Sequence, residues 1–104
     1  DIQATLLRVT IDSIVAEIRK SAVPTEVYVC GGGAHNNAFM AGLQARLRDC
    51  NVLSTAKLGI DPDGVEAIAF AWFASKTIHK KALDLTRITG SSRPHVMGGI
   101  YYPD

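Results

Sequence analysis

Three consecutive glycines, Gly31, Gly32 and Gly33, close the apolar run Val27-Tyr28-Val29-Cys30 and open a periodic stretch that starts near Asn36. Backbone without Cβ atoms at the end of a strand lets a ligand come close, and the N–H groups of the helix start that follows suit a phosphate or a polar ring. The chemistry such a pattern could serve is nucleotide binding. A tight strand-to-helix turn that needs positive φ accounts for the same spacing equally well. Asn36 stands at the helix start as an N-cap whose side chain could also face a cleft. His35 reads as a surface residue of the turn, with no evident partner to make it a ligand or a base.

The known phosphate binders narrow the options. A P-loop requires Gly-x-x-x-x-Gly-Lys-Ser/Thr, and no lysine follows the glycines before Lys57, so that motif is excluded. A dinucleotide fingerprint places a third glycine where this chain has Asn36, and an acid near the end of the next strand where it has Ser54 and Thr55. That reading is weak.

The elements that must position these residues alternate between helix and strand. Leu6, Leu7, Ile11, Ile14, Val15 and Ile18 recur at mostly three- and four-residue spacings, which predicts an amphipathic helix over about Ile2 to Ser21. Val23-Pro24-Thr25 stops it. Glu26 to Cys30 is a short apolar, β-branched run that suits a strand covered on both faces. Phe39, Met40, Leu43 and Leu47 predict a helix from about Asn36 to Arg48, and Asn51 to Ser54 a second strand. After a loop from Thr55, Asp61 has N-cap chemistry, Pro62 suits the first helical position and Asp63 the first turn. The helix this predicts, about Pro62 to Lys80, is apolar nearly all round from Ala67 to Ala74, so neighbouring elements should enclose it, with Trp72 and Phe73 as core packing. Asp84 to Asp104 reads as an extended tail lying across a larger body, with Arg93 anchoring it.

The resulting order, α-β-α-β-α plus tail, joins two strands through a helix and should make them parallel. Two strands cannot bury three helices, so the sheet is expected to be incomplete. Either the chain oligomerises extensively or it is the C-terminal part of a larger α/β domain, and the missing initiator Met favours the second.

Composition sets outer bounds. The 104 residues are 47% hydrophobic and 20% charged with a formal net charge of +1, the profile of one globular unit rather than of a disordered chain. This balance offers no long-range attraction to nucleic acid or anionic lipid. The cluster Lys76, His79, Lys80 and Lys81 suits a helix C-terminus. No apolar stretch reaches the roughly 18 residues of a membrane span and no signal core opens the chain, which reads as cytoplasmic. Cys30 and Cys50 are outside any Cys-x-x-Cys pair and are expected to be buried thiols, with no metal site.

Four segments carry a resemblance. Val29-Cys30-Gly31-Gly32-Gly33-Ala34-His35-Asn36, Leu58-Gly59-Ile60-Asp61-Pro62-Asp63, Glu66-Ala67-Ile68-Ala69-Phe70-Ala71-Trp72 and Thr89-Gly90-Ser91-Ser92-Arg93-Pro94 run in order over nearly the whole chain, and Gln3-Ala4-Thr5-Leu6-Leu7 adds a fifth. Together they resemble the C-terminal region of the 1,6-anhydro-N-acetylmuramic acid kinases, within the actin-like and sugar-kinase superfamily. The resemblance implies that the whole chain is a single C-terminal portion of an actin-like, ribonuclease H-like nucleotide-binding domain. It implies a kinase that uses ATP, Mg2+ and water to open the anhydro bridge and phosphorylate O6, giving N-acetylmuramic acid 6-phosphate in cell-wall recycling by a bacterium.

On the same ground Gly31, Gly32, Gly33 and Asn36 are the candidate nucleotide contacts. Glu66, a carboxylate at the start of an apolar helix, is the candidate for a sugar hydroxyl; a carboxylate complementing the helix N-terminus is its ordinary role. The family's phosphate loop and catalytic aspartate have no counterpart here, and no motif assigns a base to Asp12, Asp49, Asp61 or Asp63. This chain should supply the adenosine side of the cleft and be inactive alone. Its partners would be the sugar, ATP and the remainder of the kinase chain, with room for a homodimer. The alternative is a small non-catalytic α/β module that binds a nucleotide or a partner. The two differ in expectation: a piece of a kinase leaves an apolar patch exposed, whereas a module closes its edges or forms a symmetric oligomer.

Overall fold

The computed structural model describes residues 1–21 and 23–104, in two compact units, Asp1–Val65 and Glu66–Asp104. The first unit holds helix α1 (Ile2–Ser21), strand β1 (Glu26–Val29), a 3-10 turn (Gly32–His35), helix α2 (Asn37–Arg46), strand β2 (Asn51–Ser54) and a second 3-10 turn (Thr55–Leu58). Helix α1 starts where Asp1 Oδ1 accepts the Gln3 N–H at 3.1 Å, and Arg19 and Lys20 complement its C-terminal dipole. Its apolar stripe buries Ile11 and Val15 against Leu43 of α2, against Leu47 just beyond the end of that helix and against Cys50. Gly42 brings the two helices close, because a Cβ there would lie 2.4 Å from Ile11 Cδ1. An Asp12–Arg46 ion pair and an Arg19 guanidinium donating to the Arg46 carbonyl at 2.9 Å fasten the same helix pair.

β1 and β2 pair in parallel, with Val27 opposite Val52 and Val29 opposite Ser54. Val27, Tyr28, Val29, Val52 and Leu53 are all half-buried, but of these only Val27, Val29 and Val52 pack against the α1–α2 core, whereas Tyr28 and Leu53 belong to the opposite face. The strands are therefore covered on one face, not on both as the apolar run predicts: two helices are enough to shield only one side of this small sheet. Gln44 joins α2 to β2. Its Nε2 donates to the Leu47 and Cys50 carbonyls at 3.2 and 2.9 Å, and its Oε1 accepts the Val52 N–H at 3.0 Å.

Cys50 is buried, but Cys30 is exposed, against expectation, because β1 ends at Val29 and Cys30 already belongs to the outgoing turn. Helix α2 ends at Arg46, two residues short of the expected Arg48, where Leu47 leaves helical dihedrals with φ −106° and ψ 65°.

Helix α3 (Val65–Ile78) carries the chain into the second unit. It starts three residues later than expected because Asp61-Pro62-Asp63-Gly64 forms its own turn. The Asp63 N–H reaches Asp61 Oδ1 at 2.9 Å and the Gly64 N–H the Asp61 carbonyl at 3.0 Å. Asp at the first position, Pro at the second and Gly at the fourth are the preferences of a type I turn, which here displaces the helix cap. None of the residues of α3 is buried: Ile68, Phe70 and Trp72 are 62%, 64% and 49% exposed. Trp72 and Phe73 meet edge to face at 5.3 Å and Lys76 Nζ lies 4.9 Å from the Trp72 ring, so the expected core pair sits on an open face.

The last stretch is not a simple extended tail. It folds back through an antiparallel bridge between Leu83 and His95 and contains helix α4 (Thr86–Thr89), which stops at Gly90 with φ 72°. A cavity of about 180 Å³, lined by Leu83, Leu85, Thr86, Arg93, His95 and Met97 among others, lies inside this loop.

Candidate functional site

In the described residues the candidate site lies at the C-terminal end of the parallel pair, the end at which open α/β sheets take their ligands. Because Val29 and Ser54 are in register, the turns that follow β1 and β2 leave the sheet side by side. After β1 the chain enters the 3-10 turn, closed by the Ala34 N–H on the Gly31 carbonyl and the Asn36 N–H on the Gly33 carbonyl, both at 3.1 Å.

The three glycines have three different reasons to be glycine. Gly31 adopts φ 72° and ψ −166°, a region essentially reserved for residues without a Cβ. Gly33 is crowded: a Cβ would meet Phe39 Cε1 at 3.2 Å, so its smallness serves packing. Gly32 has no positive φ and nothing within 4 Å of where its Cβ would be. Neither strain nor packing demands a glycine there, and its exposed backbone faces open space. This is the kind of cradle that a nucleotide approaching the backbone closely would fit, since a side chain at Gly32 would stand in its way.

Asn36 is the N-cap of α2, its Oδ1 accepting the Phe39 N–H at 3.0 Å. That leaves its Nδ2 amide as the group free of the cap. His35, expected to be a lone surface side chain, is exposed but has a partner: its Nε2 lies 2.9 Å from both carboxylate oxygens of Asp63. The Gly31 N–H also reaches across the same gap, donating to the Pro62 carbonyl at 2.8 Å. On the β2 side, Ser54 Oγ accepts the Ala56 N–H at 3.2 Å, and the buried Thr55 Oγ1 has no hydrogen-bond partner. Neither the Asp63 contact nor the Thr55 hydroxyl is visible in the sequence as a site feature, because both depend on register between segments far apart.

Glu66 opens the second unit and is exposed on the first turn of α3, compatible with the ordinary helix-start role. Among the described residues, Tyr28 and Asp84 titrate away from their ordinary values. The Tyr28 hydroxyl is raised because it donates to Glu26 Oε2 at 2.9 Å, with burial and the Glu26 charge adding to the effect. The Asp84 carboxyl is lowered by hydrogen bonds from the Thr86 hydroxyl and N–H. Neither residue belongs to the glycine turn. Among the described residues no three His, Cys, Asp or Glu side chains gather as metal ligands, and no helix is long and apolar enough to cross a membrane.

Comparison with known proteins gives one consistent relationship. A family model described as anhydro-N-acetylmuramic acid kinase matches residues 1–103. A curated protein of that name from Thiobacillus denitrificans is 46% identical over 104 residues, covering 96% of this chain and 27% of the relative. One from Shewanella loihica is 47% identical over 103 residues, covering 97% and 27%. One from Vibrio cholerae is 42% identical over 106 residues, covering 100% and 29%. The chain thus spans little more than a quarter of the length of the curated relatives it matches.

Proposed function

The chain belongs to the anhydro-N-acetylmuramic acid kinase family, and from that membership we propose that the intact protein phosphorylates 1,6-anhydro-N-acetylmuramic acid with ATP, this chain forming the adenosine side of the cleft. In the reaction, water gives up a proton to the catalytic base as it attacks the anomeric carbon, the bond from that carbon to O6 breaks, and O6 takes the γ-phosphoryl group as its bond to the β–γ bridging oxygen of ATP breaks, giving ADP and the 6-phosphate. Such a transfer depends on positioning and charge stabilisation more than on covalent chemistry. The observation that carries the assignment of this chain to the nucleotide side is Gly32, a glycine at the C-terminal end of a parallel pair that neither backbone strain nor packing requires.

Gly31 and Gly33 shape the turn, Gly32 offers its backbone to the nucleotide, and the Asn36 amide is the remaining polar contact. Glu66 hydrogen-bonds a hydroxyl of the sugar. Among the described residues no three carboxylates gather to hold a metal ion, and Mg2+, the phosphate loop and the catalytic aspartate belong to the remainder of the kinase. The fold is then the C-terminal portion of an actin-like nucleotide-binding domain in a cytoplasmic enzyme, and the rest of that domain covers α3. The exposed Ile68, Phe70 and Trp72 favour this over a self-contained module, whose apolar faces would be closed.

The test is a phosphoryl-transfer assay with ATP and the anhydro sugar on the intact gene product, beside calorimetric titration of both ligands. Conversion to the 6-phosphate with ATP consumed in equal amount is expected. Nucleotide binding without transfer by the intact protein would overturn the kinase reading.

A further inference from the structure

The glycine turn is tied to one loop at both of its ends and left free in its middle. At the entry, the Gly31 N–H donates to the Pro62 carbonyl at 2.8 Å. At the exit, His35 Nε2 engages Asp63 at 2.9 Å to each carboxylate oxygen. The two receiving residues are adjacent, and they are themselves fixed: Pro62 is buried, and Asp63 is held by the Asp61 Oδ1 bond to its N–H at 2.9 Å. Between the two ties lies Gly32, whose backbone has open space in front of it. A five-residue stretch, Gly31 to His35, that begins with three glycines in a row has little intrinsic stiffness, so its shape must come from such ties.

We propose that His35 and Asp63 are positioning residues for the nucleotide turn: their bridge, together with the Gly31–Pro62 hydrogen bond, holds the Gly32 backbone in the orientation that receives ATP. The proposal rests on the reading of Gly32 as a nucleotide contact. His35 touches no reacting atom. It acts through the turn it ends, and Asp63 through the loop it anchors. Both side chains are about 60% exposed, at 60% and 62%, so the bridge is a modest one, and its loss changes ATP binding by about two- to fivefold, the range of an exposed ion pair or hydrogen bond.

The experiment measures KM for ATP, KM for the anhydro sugar and kcat in the intact kinase carrying His35→Ala, Asp63→Ala, the double substitution, and His35→Gln, which keeps an N–H donor. Expected are a two- to fivefold rise in KM for ATP in each single alanine variant, no further rise in the double variant, an unchanged KM for the sugar, and recovery of at least half the loss in His35→Gln. Additive effects in the double variant, an equal rise in both KM values, or no recovery by glutamine would overturn the proposal. If the alanine variants do not fold, Asp63→Leu, which is close in size and has no acceptor, is measured in the same way, and an unchanged KM for ATP overturns it. Gly32→Ala is run alongside. A rise in KM for ATP there with His35→Ala silent defeats the positioning role alone, whereas silence in both defeats the nucleotide reading as well.

Discussion

Gly31→Ala and Gly32→Ala, one residue apart, should have opposite signatures. At Gly31 a Cβ meets no neighbour, so any loss comes from the backbone: φ 72° with ψ −166° is closed to an alanine, and forcing it there costs about 1–3 kcal/mol. At Gly32 the backbone is not in the positive-φ region and the space is open, so alanine leaves stability unchanged or raises it by about 0.4–1 kcal/mol through the unfolded state. For ATP the order reverses in origin. A methyl group placed between the Gly32 backbone and a closely packed nucleotide overfills the contact by about 1–3 kcal/mol, a rise in KM of about thirtyfold at the middle of that range. Urea unfolding and native-state hydrogen exchange of the turn amides measure the first quantity, and steady-state kinetics of the intact kinase the second. If Gly32→Ala leaves KM for ATP within twofold of the parent, the turn is only a turn. If Gly31→Ala is not destabilising, the strain argument is wrong.

Three further outcomes follow from the same geometry. Asn36→Ala removes the cap on α2 and should destabilise it by about 1 kcal/mol, while Asn36→Asp keeps an acceptor for the Phe39 N–H; a raised KM for ATP in the aspartate variant isolates the proposed ligand contact from the cap. Gly42→Ala gains about 1 kcal/mol of helix propensity but drives a Cβ into Ile11 Cδ1, with an overpacking cost of about 1–3 kcal/mol, so the variant is neutral to destabilised. Ile11→Val deletes the atom that is struck, and a double-mutant cycle followed by urea unfolding should show a favourable coupling of about 1 kcal/mol or more. The Asp84 carboxyl, lowered by its Thr86 hydrogen bonds, supports α4 fully above the ordinary carboxylate pKa of about 3.9 and loses that support as pH falls through its lower folded value. Amide protection at Ile88 and Thr89 should therefore drop on acidification below about pH 4, and Asp84→Asn should abolish the step.

What the sequence made legible follows the range of the forces involved. The stripe from Leu6 to Ile18 and the run Asn51 to Ser54 give α1 and β2 their observed bounds, because periodicity and β-branched composition act within a few residues. The start of α3 differs from the sequence pattern although its signal is local: Asp61, Pro62 and Gly64 favour a type I turn as much as a helix cap, and the turn hydrogen bonds prevail. The fold-back of the last stretch depends on Leu83 meeting His95 across a loop, which no window reveals. The glycines were legible as a turn, but their separate reasons were not. Gly33 is explained only by where the Phe39 ring packs, and the partner of His35 lies 28 residues away. Gln44 of α2 bonds β2 at Val52 and the connection before it at Leu47 and Cys50, partners that no local pattern reveals.

The placement of the ties around the glycine turn also bears on energetics. Every group that shapes it, from the Gly31 N–H to the Asp63 carboxylate and the Phe39 ring, lies within residues 1–65. The turn's conformation is thus set inside its own compact unit, and the entropy of ordering three adjacent glycines is absorbed when that unit folds rather than when a nucleotide arrives. A turn without those ties would have to be ordered by ATP itself, lowering the affinity by the fraction of time it spends in other conformations. The exposed apolar face of α3 has no comparable internal partner, as its half- to two-thirds-exposed Ile68, Phe70 and Trp72 show. The two units therefore stand in different positions: the first carries a preformed turn, whereas the second presents an apolar helix whose cover, on the proposed reading, is the remainder of the kinase.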